Sequence, residues 1–169
     1  MEVFEAVRTV LAVRRYAQMR VAPELVRRIV EAGRLAASSI NKQPWHFVVV
    51  EERATLREIG AIMTTGRYTA EASFAIVVVV EKASPYAVSD ASRAIQNMIL
   101  VAWSDGVGSN WVGFGPMPEI EKLVGVPRTY EGLAVVPFGY PAEKIGAGRK
   151  RRKPLAAVAS RERFGTPFS

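Results

Sequence analysis

Cysteine is absent from the 169 residues. Its absence excludes disulfides, zinc–thiolate centres, iron–sulfur clusters and cysteine nucleophiles together. A chain without disulfides suits a reducing compartment but does not require one. Histidine occurs once, as His46. A lone imidazole where a loop enters a strand is commoner as a structural group than as a catalyst, and no role is assigned to it. Long apolar runs are missing as well. The longest, residues 74–80, is far shorter than the roughly 20 residues a membrane-crossing helix needs. The opening residues, with Glu2 and Glu5 in a mixed amphipathic stretch, lack the basic-then-apolar order of a secretory signal. The expectation is a soluble, cytoplasmic protein with no membrane partner.

Hydrophobic residues make up 49% of the chain and charged residues 23%, a balance that supports a core of ordinary size in one domain or one half of a dimer. The net charge of +7 is unevenly placed. Lys144, Arg149, Lys150, Arg151, Arg152 and Lys153 occupy one stretch with no acid among them, and the rest of the chain is close to neutral. A cluster confined to one segment differs from a uniformly basic surface. It points to a local anionic partner, such as a ligand phosphate, a nucleic acid or a membrane surface.

Apolar spacing predicts helices over residues 2–13, 23–37, 54–63 and 118–124. A longer helix, capped by Ser89 or Asp90, runs to about residue 104. Its segment 94–103 is apolar nearly all round, which suits a helix buried in a core or at the centre of a dimer. Strands are expected at 47–50, 74–80, 109–112 and 133–138. The run at 74–80 does not alternate, as in a strand covered on both faces. Helices and strands intermix, and the strands are too few for a doubly wound sheet, so an α+β sandwich fits best. Beyond about residue 142 periodicity is weak, and the segment reads as a tail that packs on something else.

The densest chemical string is Ser38-Ser39-Ile40-Asn41-Lys42-Gln43-Pro44-Trp45. Two hydroxyls and an amide at close spacing can hydrogen-bond a polyhydroxyl chain. A capped helix end followed by a turn explains the same residues more simply. The string resembles the signature of the nitroreductase family, and other parts of the chain resemble that family too. Val13-Arg14-Arg15-Tyr16 is similar to the end of its N-terminal Arg-rich motif. The stretch Asp90 to Met98 is similar to its central helix. Gly108-Ser109-Asn110-Trp111-Val112-Gly113-Phe114 and Lys150-Arg151-Arg152-Lys153-Pro154-Leu155 match two further segments.

The resemblance implies a fold and a function. The fold would be a three-layer sandwich, its central, mostly antiparallel sheet flanked by helices, in an obligate homodimer. Residues 1–169 would form one domain, with 142–169 a tail wrapping the partner subunit. The activity would be that of an FMN-dependent oxidoreductase passing reducing equivalents from NADH or NADPH to a small electron-poor acceptor of nitroaromatic or quinone type. The flavin would carry the chemistry through its N5, so no side chain is expected to be catalytic and no metal is implied.

Particular residues follow from the same resemblance. Ser38, Ser39 and Asn41 would touch FMN bound mainly by the other subunit, with the main chain of Ala37 close by. Arg14 would lie by the N1/C2=O edge of the ring, where a fixed cation stabilises the reduced anionic form. Asp90 would sit near the opposite subunit's flavin, although a plain helix cap explains it as readily. The main chain of Val112 or Gly113 would approach N5, and Trp111 would pack on the flavin or, more simply, fill core. Lys150 and Arg152 would reach the phosphate. The loop 63–68 and the stretch 114–117 would wall the acceptor pocket.

The chain also departs from the family. Val10-Leu11-Ala12 stand where an Arg-Arg-Ser usually supplies a phosphate-binding guanidinium and a hydroxyl. Two other readings therefore stay in view. One is a protein of this fold without reductase activity. The other is a basic nucleic-acid binder, although no nucleic-acid motif accompanies the basic cluster.

Overall fold

The apolar run at 74–80 lies at the centre of the molecule, in strand β2 (Phe74–Glu81). The computed structural model describes residues 1–113, 115–145 and 150–168. Strand β2 is flanked by β1 (Trp45–Val50) and β4 (Tyr130–Gly139), and the short β3 (Gly108–Ser109) lies beyond β4. All three pairings are antiparallel. Val48 faces Val77, Ile76 faces Val136, and the register shifts between Val78 and Val79.

Successive strand residues point to opposite faces. Phe74, Ile76, Val78 and Val80 enter one core with Val136 and Phe138, while Ala75, Val77 and Val79 enter a second with Val135. Both faces of β2 are covered, which is why its sequence does not alternate. Helices α2 (Pro23–Arg34) and α4 (Ala87–Ser104) cover the first face through Val26, Ile29, Ala94, Ile95 and Met98. Helices α3 (Arg53–Ile62) and α5 (Met117–Leu123) cover the second through Leu56, Ile59 and Ile120. The result is a three-layer α+β sandwich. Each fully buried aliphatic or aromatic side chain contributes roughly 1.5–3 kcal/mol relative to exposure. Gly33 lets α2 and α4 approach, because a Cβ there would come within 2.9 Å of the Met98 sulfur.

The first helix is shorter than its apolar spacing predicts. Helix α1 (Val3–Thr9) stops at Thr9, and Val10 turns to φ −55°, ψ 130°. The following residues are claimed by the sheet. Ala12 bridges Ser109 in parallel, and the Val13 amide donates to the Ser109 carbonyl at 2.9 Å. Tertiary pairing here overrides a helical pattern. Gly108 makes it possible, since a Cβ there would lie 2.2 Å from Cγ2 of Val13.

Other boundaries also move. Helix α2 ends at Arg34, before the expected residue 37. Helix α4 begins at Ala87 with Tyr86 at the cap position, so neither Ser89 nor Asp90 caps it. On α4 Gln96 is exposed, and the Asn97 amide donates to the Ala32 carbonyl at 3.3 Å. The strand expected at 109–112 narrows to β3 and a separate bridge between Val112 and Val135. Among the described residues no helix is long and apolar enough to cross a membrane.

Candidate functional site

The segment that leaves α1 forms one wall of a hollow of about 360 Å³. Val10, Leu11 and Ala12 are its apolar wall, Gln96 and Ile99 come from α4, and Ser109, Asn110 and Trp111 come from β3 and the chain after it. Lys150 and Arg152 complete the rim. The hollow thus joins two cations, three polar side chains and an indole. Trp111 is 38% exposed, so its ring borders this hollow and does not fill the core as its apolar character suggested. Arg149, Phe114 and the rest of 146–149 lie outside the described residues.

Lys150 is already engaged. Its Nζ donates at 2.5 Å to the carbonyl of Val7, in the last turn of α1. Burial and the neighbouring Arg152 both lower its pKa, so an anion arriving here would relieve a crowded pair of cations. The Arg152 guanidinium donates to the Arg151 carbonyl beside it, at 3.0 Å, and its side chain is exposed.

A second constellation lies on the loop between α2 and β1. Ile40, Asn41 and Gln43 all adopt positive φ, at 47°, 55° and 51°. Left-handed backbone in a non-glycine residue costs on the order of 1–3 kcal/mol, and such strain clusters at functional sites. Local hydrogen bonds hold part of the shape. The Ser38 hydroxyl accepts from the Gln43 amide at 2.9 Å, and the Gln43 side chain donates to Oδ1 of Asn41 at 3.1 Å. Ser38 and Ser39 are half-buried, while Ala37 and Asn41 are exposed. Trp45 is in the core, stacked 6.3 Å from Phe47.

Asp90 meets this loop from α4. It is fully buried, and its Oδ2 accepts from the Ser39 amide at 3.0 Å. In the single chain its carboxylate is therefore covered by the loop it holds. Arg93, one turn on, lies 3.3 Å from Oδ1 of Asp90 and donates to the Ala37 carbonyl at 3.4 Å. The sequence reading passed over Arg93, yet its i, i+3 spacing from Asp90 was a readable signal.

The remaining expected residues are spread around these two features. Val112 is buried, and its amide and carbonyl are both taken by Val135 at 2.9 Å. Of the pair Val112 and Gly113, Gly113 is therefore the one whose amide is not held in that bridge. Arg14 is exposed on the extended segment after Ala12 and does not border the hollow. Its charge is felt at the hydroxyl of Tyr16, whose own pKa is pushed up mainly by burial. The loop 63–68 does meet the 112–115 segment. A Cβ on Gly66 would lie 2.6 Å from Val112, and one on Gly115 2.7 Å from the Met63 sulfur. The Asn110 amide donates to the Tyr68 hydroxyl, and the rings of Tyr68 and Tyr16 are 6.5 Å apart. Tyr68 belongs to the loop expected to wall the acceptor pocket and Asn110 to the matched stretch 108–114, but neither residue type marks a role of its own. Among the described residues no group of three His, Asp or Glu side chains converges as metal ligands.

This architecture has close relatives. The profile of the Nitroreductase family matches residues 8–73 and 61–140. A protein of Methanothermobacter thermautotrophicus, named for NADH dehydrogenase and NAD(P)H nitroreductase activity, is 35% identical over 154 residues. That alignment covers 86% of this chain and 81% of the relative. A crystal structure of a similarly named protein from Bacteroides thetaiotaomicron superposes with a TM-score of 0.86 at 31% identity, covering 93% of this chain and 95% of the other. A structure described as an FMN-dependent nitroreductase from Clostridium difficile, at 23% identity, shares the fold with a TM-score of 0.85 over 95% of this chain and 99% of its own. The profile spans well over half of the residues, and the chain belongs to the nitroreductase family.

Proposed function

We propose that the protein is an FMN-dependent oxidoreductase that takes reducing equivalents from NADH or NADPH and passes them to an electron-poor acceptor of nitroaromatic or quinone type. The observation that carries this reading is the hollow between α1, α4 and β3, which gathers Lys150, Arg152, Asn110 and Trp111. An elongated ligand with an anionic end, a polar middle and a flat ring matches that set of groups. FMN, when bound, supplies the N5 that accepts and returns hydride.

The chain's residues bind and orient. Lys150 and Arg152 hold the phosphate through charge-assisted hydrogen bonds. Gly113 would be the one to offer its amide to N5, because that of Val112 is held by Val135. Trp111 would pack on the ring, and Arg14, which does not border the hollow in the single chain, would serve the N1/C2=O edge. The ribityl chain is met by Ser38, Ser39 and Asn41, with Ala37 beside them.

That last set comes from a second copy of the chain. Asp90, which holds the loop, and Ile99, which lines the hollow, are about 2.5 helical turns apart along α4. Among the described residues that line the hollow, none belongs to the loop of the same chain. Helix α1 leaves Val3 and Phe4 at 73% and 70% exposure, and the tail leaves Leu155, Val158 and Phe164 uncovered. Apolar surface of this kind suits a partner subunit, wrapped by the tail at 142–169.

The test is the purified protein itself. A visible flavin spectrum that bleaches with NADH or NADPH and returns on addition of a nitroaromatic or a quinone supports the reading. A colourless protein that takes up no added FMN overturns it.

A further inference from the structure

Asp90 is a buried carboxylate for which the proposed chemistry has no use. Burying a charge is costly unless it is paired, and a neutral residue would serve a core better. Asp90 is nevertheless completely covered, and its Oδ1 has an ion pair with Arg93 at 3.3 Å but no well-formed hydrogen bond. It stands in the first turn of α4, where the helix dipole favours a negative charge. Its other oxygen grips the Ser39 amide, one residue before the run of left-handed backbone at Ile40 and Asn41. Arg93 grips the Ala37 carbonyl from the same pair. Two backbone groups flanking Ser38 are thus tied to one ion pair on a helix that is itself locked to α2 by the Met98–Gly33 contact.

The loop's own hydrogen bonds, Ser38 to Gln43 and Asn41 to Gln43, fix its internal shape. They do not fix where it sits on the molecule. The only described side-chain bonds from another element to residues 37–43 are those of Asp90 and Arg93. Strained backbone persists only where its surroundings over-determine it. The exposed Ile40, 84% accessible at the tip of the loop, adds no packing in the single chain.

We propose that Asp90 and Arg93 form a positioning pair that holds the loop of residues 37–43 in its strained, ligand-presenting shape without touching the ligand. This rests on the reading that the loop binds the flavin's ribityl chain. Removal of the pair releases the loop from α4, and flavin binding then has to restore an order that is prebuilt in the parent. The loss falls equally on FMN and riboflavin, because the pair acts on the ribityl side and not on the phosphate.

The experiment compares Asp90→Ala, Asp90→Asn and Arg93→Gln with the parent protein. Amide hydrogen exchange is followed at Ser39, and FMN and riboflavin affinities are measured by flavin fluorescence. Asp90→Ala is expected to speed exchange at Ser39 and to raise both dissociation constants by the same factor, roughly tenfold or more. Asp90→Asn restores an acceptor but not the charge, and should fall between parent and Asp90→Ala. Arg93 is exposed, so Arg93→Gln folds even where Asp90→Ala does not, and it should shift both readouts in the same direction. Unchanged exchange at Ser39 in all three variants overturns the proposal. Faster exchange with unchanged affinities, beside an Asn41→Ala variant that does lose affinity, also overturns it. If Asn41→Ala and the Asp90 variants all leave affinity unchanged, the loop's flavin role has failed and the proposal falls with it.

Discussion

At the residue scale the chain poses a charge problem. The FMN phosphate carries close to two negative charges, and burying them without partners is very costly. Val10, Leu11 and Ala12 line the hollow with apolar side chains. Arg8, the nearest arginine before them, is turned back into its own helix and paired with Glu5 at 2.6 Å. On the proposed reading compensation falls to Lys150 and Arg152, and Lys150 is partly committed to the Val7 carbonyl. Arg152→Ala is therefore expected to weaken FMN by about ten- to a hundredfold, the equivalent of a charge-assisted bond of roughly 1.5–3 kcal/mol. Riboflavin, which lacks the phosphate, should bind as before. Equal weakening of both would assign Arg152 to folding or assembly. The complementary variant, Val10→Arg, should tighten FMN over riboflavin in the same fluorescence titration. On the ribityl side Asn41→Ala should cost about two- to tenfold in flavin affinity, from the loss of one hydrogen bond of ~0.5–1.5 kcal/mol. An affinity unchanged within error would remove Asn41 from the site.

At the scale of elements, legibility followed the range of the forces involved. Strand β2 could be read from residues 74–80 alone, because two-sided burial leaves a local signature in composition. The end of α1 could not. Residues 10–13 keep a helical apolar spacing, and only the pairing of Ala12 and Val13 with Ser109, nearly a hundred residues away, pulls them out of the helix. The cap of α4 failed for a similar reason. Asp90 has the side chain of a cap, but its carboxylate is taken by Ser39 across the fold. The loop at 37–43 stands out through a motif, while its left-handed backbone at Ile40, Asn41 and Gln43 has no signal in residue type beyond Asn41. One junction among these elements has a sharp mechanical consequence. Gly108→Ala would drive a Cβ to 2.2 Å from Val13, in the seam that holds the hollow's wall to β3. Overpacking of this sort costs typically 1–3 kcal/mol. The midpoint of denaturant unfolding should fall accordingly, with a further loss of flavin affinity as residues 10–12 shift. An unchanged midpoint would mean that the seam is more yielding than these contacts imply.

At the scale of the whole molecule the decisive question is how many chains make one site. Within a single chain none of the described residues lining the hollow comes from the loop at 37–43, so neither alone encloses a flavin. The exposed apolar residues of α1 and of the tail are separate evidence, because a lone chain carrying Val3, Phe4, Leu155 and Phe164 in water would self-associate. If the tail provides part of the seal, its removal should act on assembly and cofactor together. A variant ending after Lys153 retains Lys150 and Arg152 and every strand of the sheet, so a loss of phosphate contacts cannot explain its behaviour. Light scattering on the parent should give the mass of a dimer with close to one flavin per chain. The shortened variant is expected to dissociate at concentrations where the parent does not, and its flavin content should fall in proportion to the dimer lost. Holding each sample at several concentrations separates the two effects, since flavin retention governed by assembly must follow the dimer fraction by mass action. A monodisperse parent monomer that retains its FMN would refute the shared site outright. A shortened variant that stays dimeric and yellow would leave the shared site standing and confine the interface to α1 and α4.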